Sequence, residues 1–78
     1  MCNYGIFMTL LKILCNETAP DDPMTIKQFL TRMREEGTPI TEKTVYRYFD
    51  AMRDGGVIVG KRKKNYPYNE YWYESGWI

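Results

Sequence analysis

Histidine is absent from the 78 residues, which removes the commonest general base and metal ligand near neutral pH. The only two cysteines, Cys2 and Cys15, do not stand at metal-ligand spacing, and no glycine-rich loop of the phosphate-cradling kind occurs. Catalysis is left with almost nothing to work with, so the chain reads as a non-enzyme with no cofactor and no small-molecule ligand site. The acidic pairs Asp21-Asp22 and Glu35-Glu36 fall in a loop and at a helix end, where solvated charge and support of the helix end account for them. A long apolar run is lacking too. The stretch 6–14 is broken by Thr9 and Lys12 and has neither a basic leader nor a small-residue cleavage site. A cytoplasmic protein without a membrane partner is expected. In that compartment Cys15, in an apolar helical stretch, and Cys2, at the terminus, stay reduced. The length allows one hydrophobic core, hence one domain.

What is present is a globular composition, 44% hydrophobic and 27% charged, without the low-hydrophobicity, high-charge bias of a disordered segment. The net charge of only +1 conceals an uneven distribution. Between residues 43 and 64 stand seven basic residues (Lys43, Arg47, Arg53, Lys61, Arg62, Lys63, Lys64) against two acidic ones, Asp50 and Asp54, a local charge of +5. The rest of the chain is net acidic. Positive charge gathered in one stretch suits a surface that faces phosphate, whereas solubility is served by interspersed signs.

Periodicity places three helices. Ile6, Phe7, Leu10, Leu11, Ile13 and Leu14 recur at three- and four-residue spacing with Lys12 opposite, a helix over about 6–16 that ends before Thr18-Ala19-Pro20. Thr25 with Gln28 forms a capping-box signal for a second helix over about 25–36. Ile26, Phe29, Leu30 and Met33 are its inner stripe, Lys27, Arg32, Arg34 and Glu35 face water, and Gly37 stops it. The linker Thr38-Pro39-Ile40 is expected to contribute a residue or two of extended chain, pinned by Ile40. Thr41 caps a third helix over about 42–54, with Val45, Phe49 and Met52 inward and Gly55-Gly56 at its end. Two strands follow, β-branched Val57-Ile58-Val59 and aromatic Glu70-Tyr71-Trp72-Tyr73-Glu74, joined by a loop over about 63–69 in which turn residues and positive charge coincide. The fold expected is α+β, a winged helix-turn-helix of three helices and a two-stranded hairpin wing over about 57–74.

The stretch Thr41-Glu42-Lys43-Thr44-Val45-Tyr46-Arg47-Tyr48-Phe49-Asp50-Ala51-Met52-Arg53-Asp54-Gly55-Gly56 resembles the third helix of the N-terminal DNA-binding domain of the bacterial WYL-domain transcriptional regulators, which carries a similar Thr-Val-Tyr-Arg core, an apolar pair and a closing glycine. Leu11-Lys12-Ile13-Leu14, the polar loop through Asp21-Asp22-Pro23-Met24-Thr25 and the second helix match the layout of that family's first half, so the resemblance covers about residues 8–74. Two departures stand out: Tyr48 occupies a position usually acidic in the family, and no effector-sensing domain follows Trp77-Ile78. The resemblance implies a DNA-binding module, either excised from a regulator or free-standing and small, as a phage-borne protein would be.

In helix-turn-helix docking the N-terminal half of the third helix enters a major groove about 12 Å wide. The residues expected there are Thr41, Lys43, Thr44, Tyr46 and Arg47. Arg47 can bond two acceptors at once, on guanine or on a phosphate, Lys43 supplies a point charge and Thr44 a hydroxyl. The ordinary alternative is a solvated helix face in which Lys43 and Arg47 repel and Asp50 relieves them. Lys61, Arg62, Lys63 and Lys64 repel one another unless an anion is near, and a DNA backbone provides one; otherwise they are an edge that deters strand pairing. In this reading the wing contributes salt-sensitive affinity and the third helix selectivity. Tyr66, Tyr68, Tyr71, Trp72, Tyr73 and Trp77 form an aromatic tail, with Tyr71 and Tyr73 on one strand face and Trp72 on the other. One face covers the helices, and the other is open to a protein interface or, less simply, to stacking on single-stranded nucleic acid. A lone module contacts few base pairs, which favours a homodimer through the first helix or the aromatic C-terminal strand. The rival function is a small phage- or plasmid-encoded winged helix that binds another protein as an inhibitor or adaptor. Double-stranded DNA requires the cations of the third helix and the wing on one surface, and a protein partner requires an exposed apolar patch.

Overall fold

The computed structural model describes residues 4–65 and 68–75. The expectations for Cys2, Tyr66 and Trp77 lie outside the described residues. In chain order the elements are helix α1 (Tyr4–Glu17), strand β1 (Met24–Thr25), helices α2 (Ile26–Glu35) and α3 (Glu42–Asp54), and strands β2 (Ile58–Arg62) and β3 (Glu70–Ser75). The class is α+β as read from the sequence, but the sheet has three strands and not the two expected. β1 adds to the hairpin, giving an antiparallel sheet of order β1-β3-β2.

The unforeseen strand has a local cause. Thr25 caps α2, accepting from the Gln28 amide at 3.3 Å while the Gln28 side chain accepts from the Thr25 amide at 2.8 Å, and a cap residue must be extended (φ −79°, ψ 165°). Pro23 disfavours a helical Asp22 before it. Extended chain thus runs past the edge of β3, where Met24 pairs with Tyr71 and Thr25 with Glu70. The linker 38–40, expected to supply extended residues, forms no strand; Ile40 still packs against the core. α1 begins two residues before the sequence estimate and ends one after it.

One apolar cluster holds the elements together. Leu10, Leu11, Ile13 and Leu14 of α1, Ile26, Phe29 and Met33 of α2, Val45, Phe49 and Met52 of α3, Val57 and Tyr71 are all buried, each large apolar side chain contributing roughly 1.5–3 kcal/mol by leaving water. α2 and α3 end alike. At each, a glycine with positive φ (Gly37 at 82°, Gly56 at 101°) turns the chain, and the next amide bonds back to the helix: Thr38 to the Met33 carbonyl at 3.0 Å, Val57 to the Met52 carbonyl at 2.8 Å. The second of these motifs buries Val57 beside Met52 and launches β2 directly from α3.

Two polar ties fix α1. Thr18, the one buried polar residue of those described, donates to the Leu14 carbonyl and accepts from the Tyr73 amide at 2.8 Å, joining the end of α1 to the central strand. Thr18→Val removes the hydroxyl that accepts from the part-buried Tyr73 amide and is expected to cost about 1–2 kcal/mol; a urea-midpoint drop that Thr18→Ser does not share checks it. Arg32, expected on the water-facing side of α2, keeps its bonds exposed but is not unpartnered. Its guanidinium bonds Glu17 at two points, both 2.6 Å, and also reaches Glu35 at 3.1 Å and Glu36 at 3.3 Å. The Glu17 carboxyl is held below the ordinary carboxylate range by these Arg32 hydrogen bonds. Cys15 is a free, half-buried thiol whose pKa burial pushes up. Tyr48 closes α3 on α1 by an edge contact with Phe7, ring centroids 5.5 Å apart. No helix among the described residues is long and apolar enough to cross a membrane.

Candidate nucleic-acid interface

α3 owes its position to one inner stripe. Val45, Phe49 and Met52 bury completely or nearly so, and at 3.6 residues per turn this turns Lys43, Arg47, Asp50 and Asp54 outward. Glu42, Tyr46 and Arg53 lie on the flank toward the hairpin. A chain of edge-on and tilted rings sets that flank: Phe29 to Phe49 at 5.4 Å, Phe49 to Tyr71 at 5.3 Å, Tyr71 to Tyr46 at 6.0 Å. The aromatic residues of α2, α3 and β3 therefore lock the helix to the sheet that carries the hairpin.

Lys43 and Arg47 are exposed and form no ion pair among the described residues. Asp50 was the residue placed to relieve them, and it pairs with Arg53 instead, at 3.5 Å. Arg47 therefore has no ion-pair partner on its own helix face among the described residues. Thr41 and Thr44 occupy the start of α3. Thr41 Oγ1 accepts from the Thr44 amide at 3.2 Å, and the two hydroxyls share a hydrogen bond of 2.9 Å. When Thr44 is the donor of that bond, the Thr41 proton is free to point outward at an anion. Tyr46 is half-buried; its hydroxyl accepts from Tyr71 at 3.4 Å and donates to Glu42 at 3.4 Å. Burial first, then the Tyr71 hydrogen bond, drives its pKa far upward, so the phenol stays neutral. Its ring serves the α3–sheet junction more than the outer surface.

Strand alternation divides the basic cluster of the hairpin. Lys61 lies opposite Tyr71 and Arg62 opposite Glu70, so neighbouring cations point to opposite faces. Lys61 lines a groove of about 160 Å³ between α3 and β2, with Tyr46, Asp50 and Arg53 on the helix side and Val59, Phe49 and Tyr71 completing it. This brings Lys61 to the same side as α3. Arg62 goes to the other face, over the Trp72 ring at 5.6 Å and 3.2 Å from Glu70. Lys64 also reaches Glu70, at 3.1 Å. Of the four wing cations, Lys61 and Lys63 form no ion pair among the described residues.

The loop end is shaped by a backbone bond, Tyr68 amide to Asn65 carbonyl at 2.8 Å, and by a backbone-to-side-chain bond, Lys64 amide to Asn69 Oδ1 at 2.7 Å. Lys63, Lys64, Asn65 and Tyr68 line an open basin there. Tyr68, 60% exposed, is thus an aromatic set beside two cations. Tyr71 is buried and Tyr73 packs on the core, while Trp72 stands on the far face with its indole NH bonded to Glu74. The alternation read from the sequence is the one observed. Gly60 is required beneath Trp72, because a Cβ there would lie 2.1 Å from the indole.

Sequence reading counted Arg53 among the basic residues and Tyr68 in the aromatic tail, but gave no role to Glu70. The pairing of Arg53 could have been found from its i+3 spacing to Asp50. That of Glu70 could not, since its neighbours depend on the register across the hairpin. Among the described residues no group of three or more potential metal ligands comes together. No known protein family, characterised protein or solved structure matches the chain.

Proposed function

We propose that the chain is a winged helix-turn-helix module that binds double-stranded DNA, with α3 in the major groove and the β2–β3 hairpin as a wing on the phosphate backbone. The carrying observation is that Lys43 and Arg47 project from the outer face of α3 without an ion pair among the described residues, with Lys61 on the same side across the groove. The element order helix, strand, helix, helix, strand, strand, with β1 paired to β3, supports the winged reading. In this role Arg47 makes the two-point contact to guanine or phosphate, Lys43, Lys61 and Lys63 neutralise phosphates, and Thr41 donates at the start of the helix. A module contacting few base pairs gains useful specificity as a homodimer or beside a partner domain. The likeness of residues 41–56 to the WYL-domain regulators points to transcriptional control.

The rival reading, capture of a protein partner, draws less support. The large apolar side chains exposed among the described residues, Met8 on α1, Ile58 at the start of β2 and Tyr68 in the β2–β3 loop, stand on separate segments, and Ile58 and Tyr68 are at opposite ends of the hairpin. A single-strand binder would need several aromatics exposed beside the cations, and among the described residues Tyr68 is the one large aromatic that is fully exposed there.

Fluorescence anisotropy with a random-sequence duplex at two salt concentrations tests the proposal. Binding that weakens steeply with salt is expected, and Arg47→Ala is expected to lower affinity roughly 10-fold. No binding at low salt would sink the DNA reading, and a pull-down for a protein partner would then be the next step.

A further inference from the structure

Glu70 is the residue neither the sequence nor the DNA reading accounts for. It stands in the central strand, its side chain only 18% exposed, and its Oε1 meets both Arg62 Nη1, at 3.2 Å, and Lys64 Nζ, at 3.1 Å. One carboxylate oxygen thus sits between two cations of the wing, the position a phosphate oxygen would take. Arg62 is further held by the Trp72 ring, and the Trp72 indole is fixed by its bond to Glu74 and its seat on Gly60.

We propose that Glu70 is an internal phosphate mimic that sets the affinity of the wing: it holds Arg62 and Lys64 against the hairpin and competes with the DNA backbone for them. This rests on the DNA reading of the wing and adds to it a residue that limits binding. The triad Glu70, Arg62 and Lys64 carries a net charge of +1 where two free cations would carry +2. Its net attraction for phosphate is that of one cation, and the uncompensated Lys61 and Lys63 dominate non-specific binding. A wing limited in this way leaves a larger share of the binding free energy to α3, which raises the ratio of specific to random binding.

Glu70→Gln keeps the shape and removes the charge. Glu74→Gln makes the same change in net charge four residues along the same strand, where the carboxylate partners Trp72 and no cation among the described residues. Both are titrated with a random duplex across a salt series. Glu70→Gln is expected to bind about 3–10-fold tighter at low salt, with a log–log salt slope steeper by about one, and Glu74→Gln to stay within about two-fold of the parent. Equal effects of the two variants would reduce the result to overall charge and overturn the proposal. Weaker binding by Glu70→Gln would overturn it as well, showing that the carboxylate positions the cations for DNA. If the parent protein binds no duplex at any salt, it is the DNA reading itself that fails.

Discussion

Replacing Lys61, Arg62, Lys63 and Lys64 together by serine is expected to weaken binding to random duplex DNA by two to three orders of magnitude at about 0.1 M salt. The salt slope should fall by about three to four: the four cations with Glu70 carry a net charge of +3, and their removal leaves Glu70 unopposed. All four side chains are exposed and none belongs to the apolar cluster, so circular dichroism and the unfolding midpoint should change little. Arg47→Ala makes the contrasting test. Loss of a wing cation should weaken all sequences alike, whereas loss of Arg47 should flatten the preference among sequences once a preferred site has been selected. A wing variant that binds random duplex as well as the parent does would leave the hairpin cations as a solubilising edge and nothing more.

Phe29→Ala is expected to have the largest effect on stability, about 3–5 kcal/mol. The ring is fully buried and begins the chain of contacts that runs through Phe49 and Tyr71 to Tyr46. A chain of this length has on the order of 4–12 kcal/mol of stability in all, so the variant should sit near its unfolding threshold at room temperature. Urea denaturation reads the loss directly. Duplex binding reads its consequence, for Phe29 is fully buried and acts by holding α3 against the sheet through Phe49. Binding that survives in the folded fraction, with unchanged salt slope, would separate that positioning role from a direct one.

Most of the fold was legible because its signals are local. The inner stripes Ile26-Phe29-Met33 and Val45-Phe49-Met52 follow helical spacing, Thr25 with Gln28 and Thr41 announce helix starts, and Gly37 and Gly55-Gly56 announce ends; each is found where the pattern puts it. The alternation of Tyr71, Trp72 and Tyr73 was legible for the same reason. β1 was not, because two residues carry no periodicity, and what makes them a strand is the edge of β3 beside them. Arg32 could not be told from a solvated arginine, since its main partner, Glu17, is fifteen residues away on another helix.

The candidate site divides along the same line. By itself the sequence determined which residues could serve: a third helix whose outward positions carry Lys43 and Arg47, and a basic run at 61–64, both consequences of hydrophobic spacing and of where charge is concentrated. Only the tertiary structure decided which of those charges are available. Asp50 turned to Arg53, and Glu70 took Arg62 and Lys64, while Lys43, Arg47, Lys61 and Lys63 were left without an ion pair among the described residues. The physical reason is that ion pairing depends on separations of 3–4 Å, and these are set by strand register and by helix-to-sheet packing, neither of which is written at any one position of the chain.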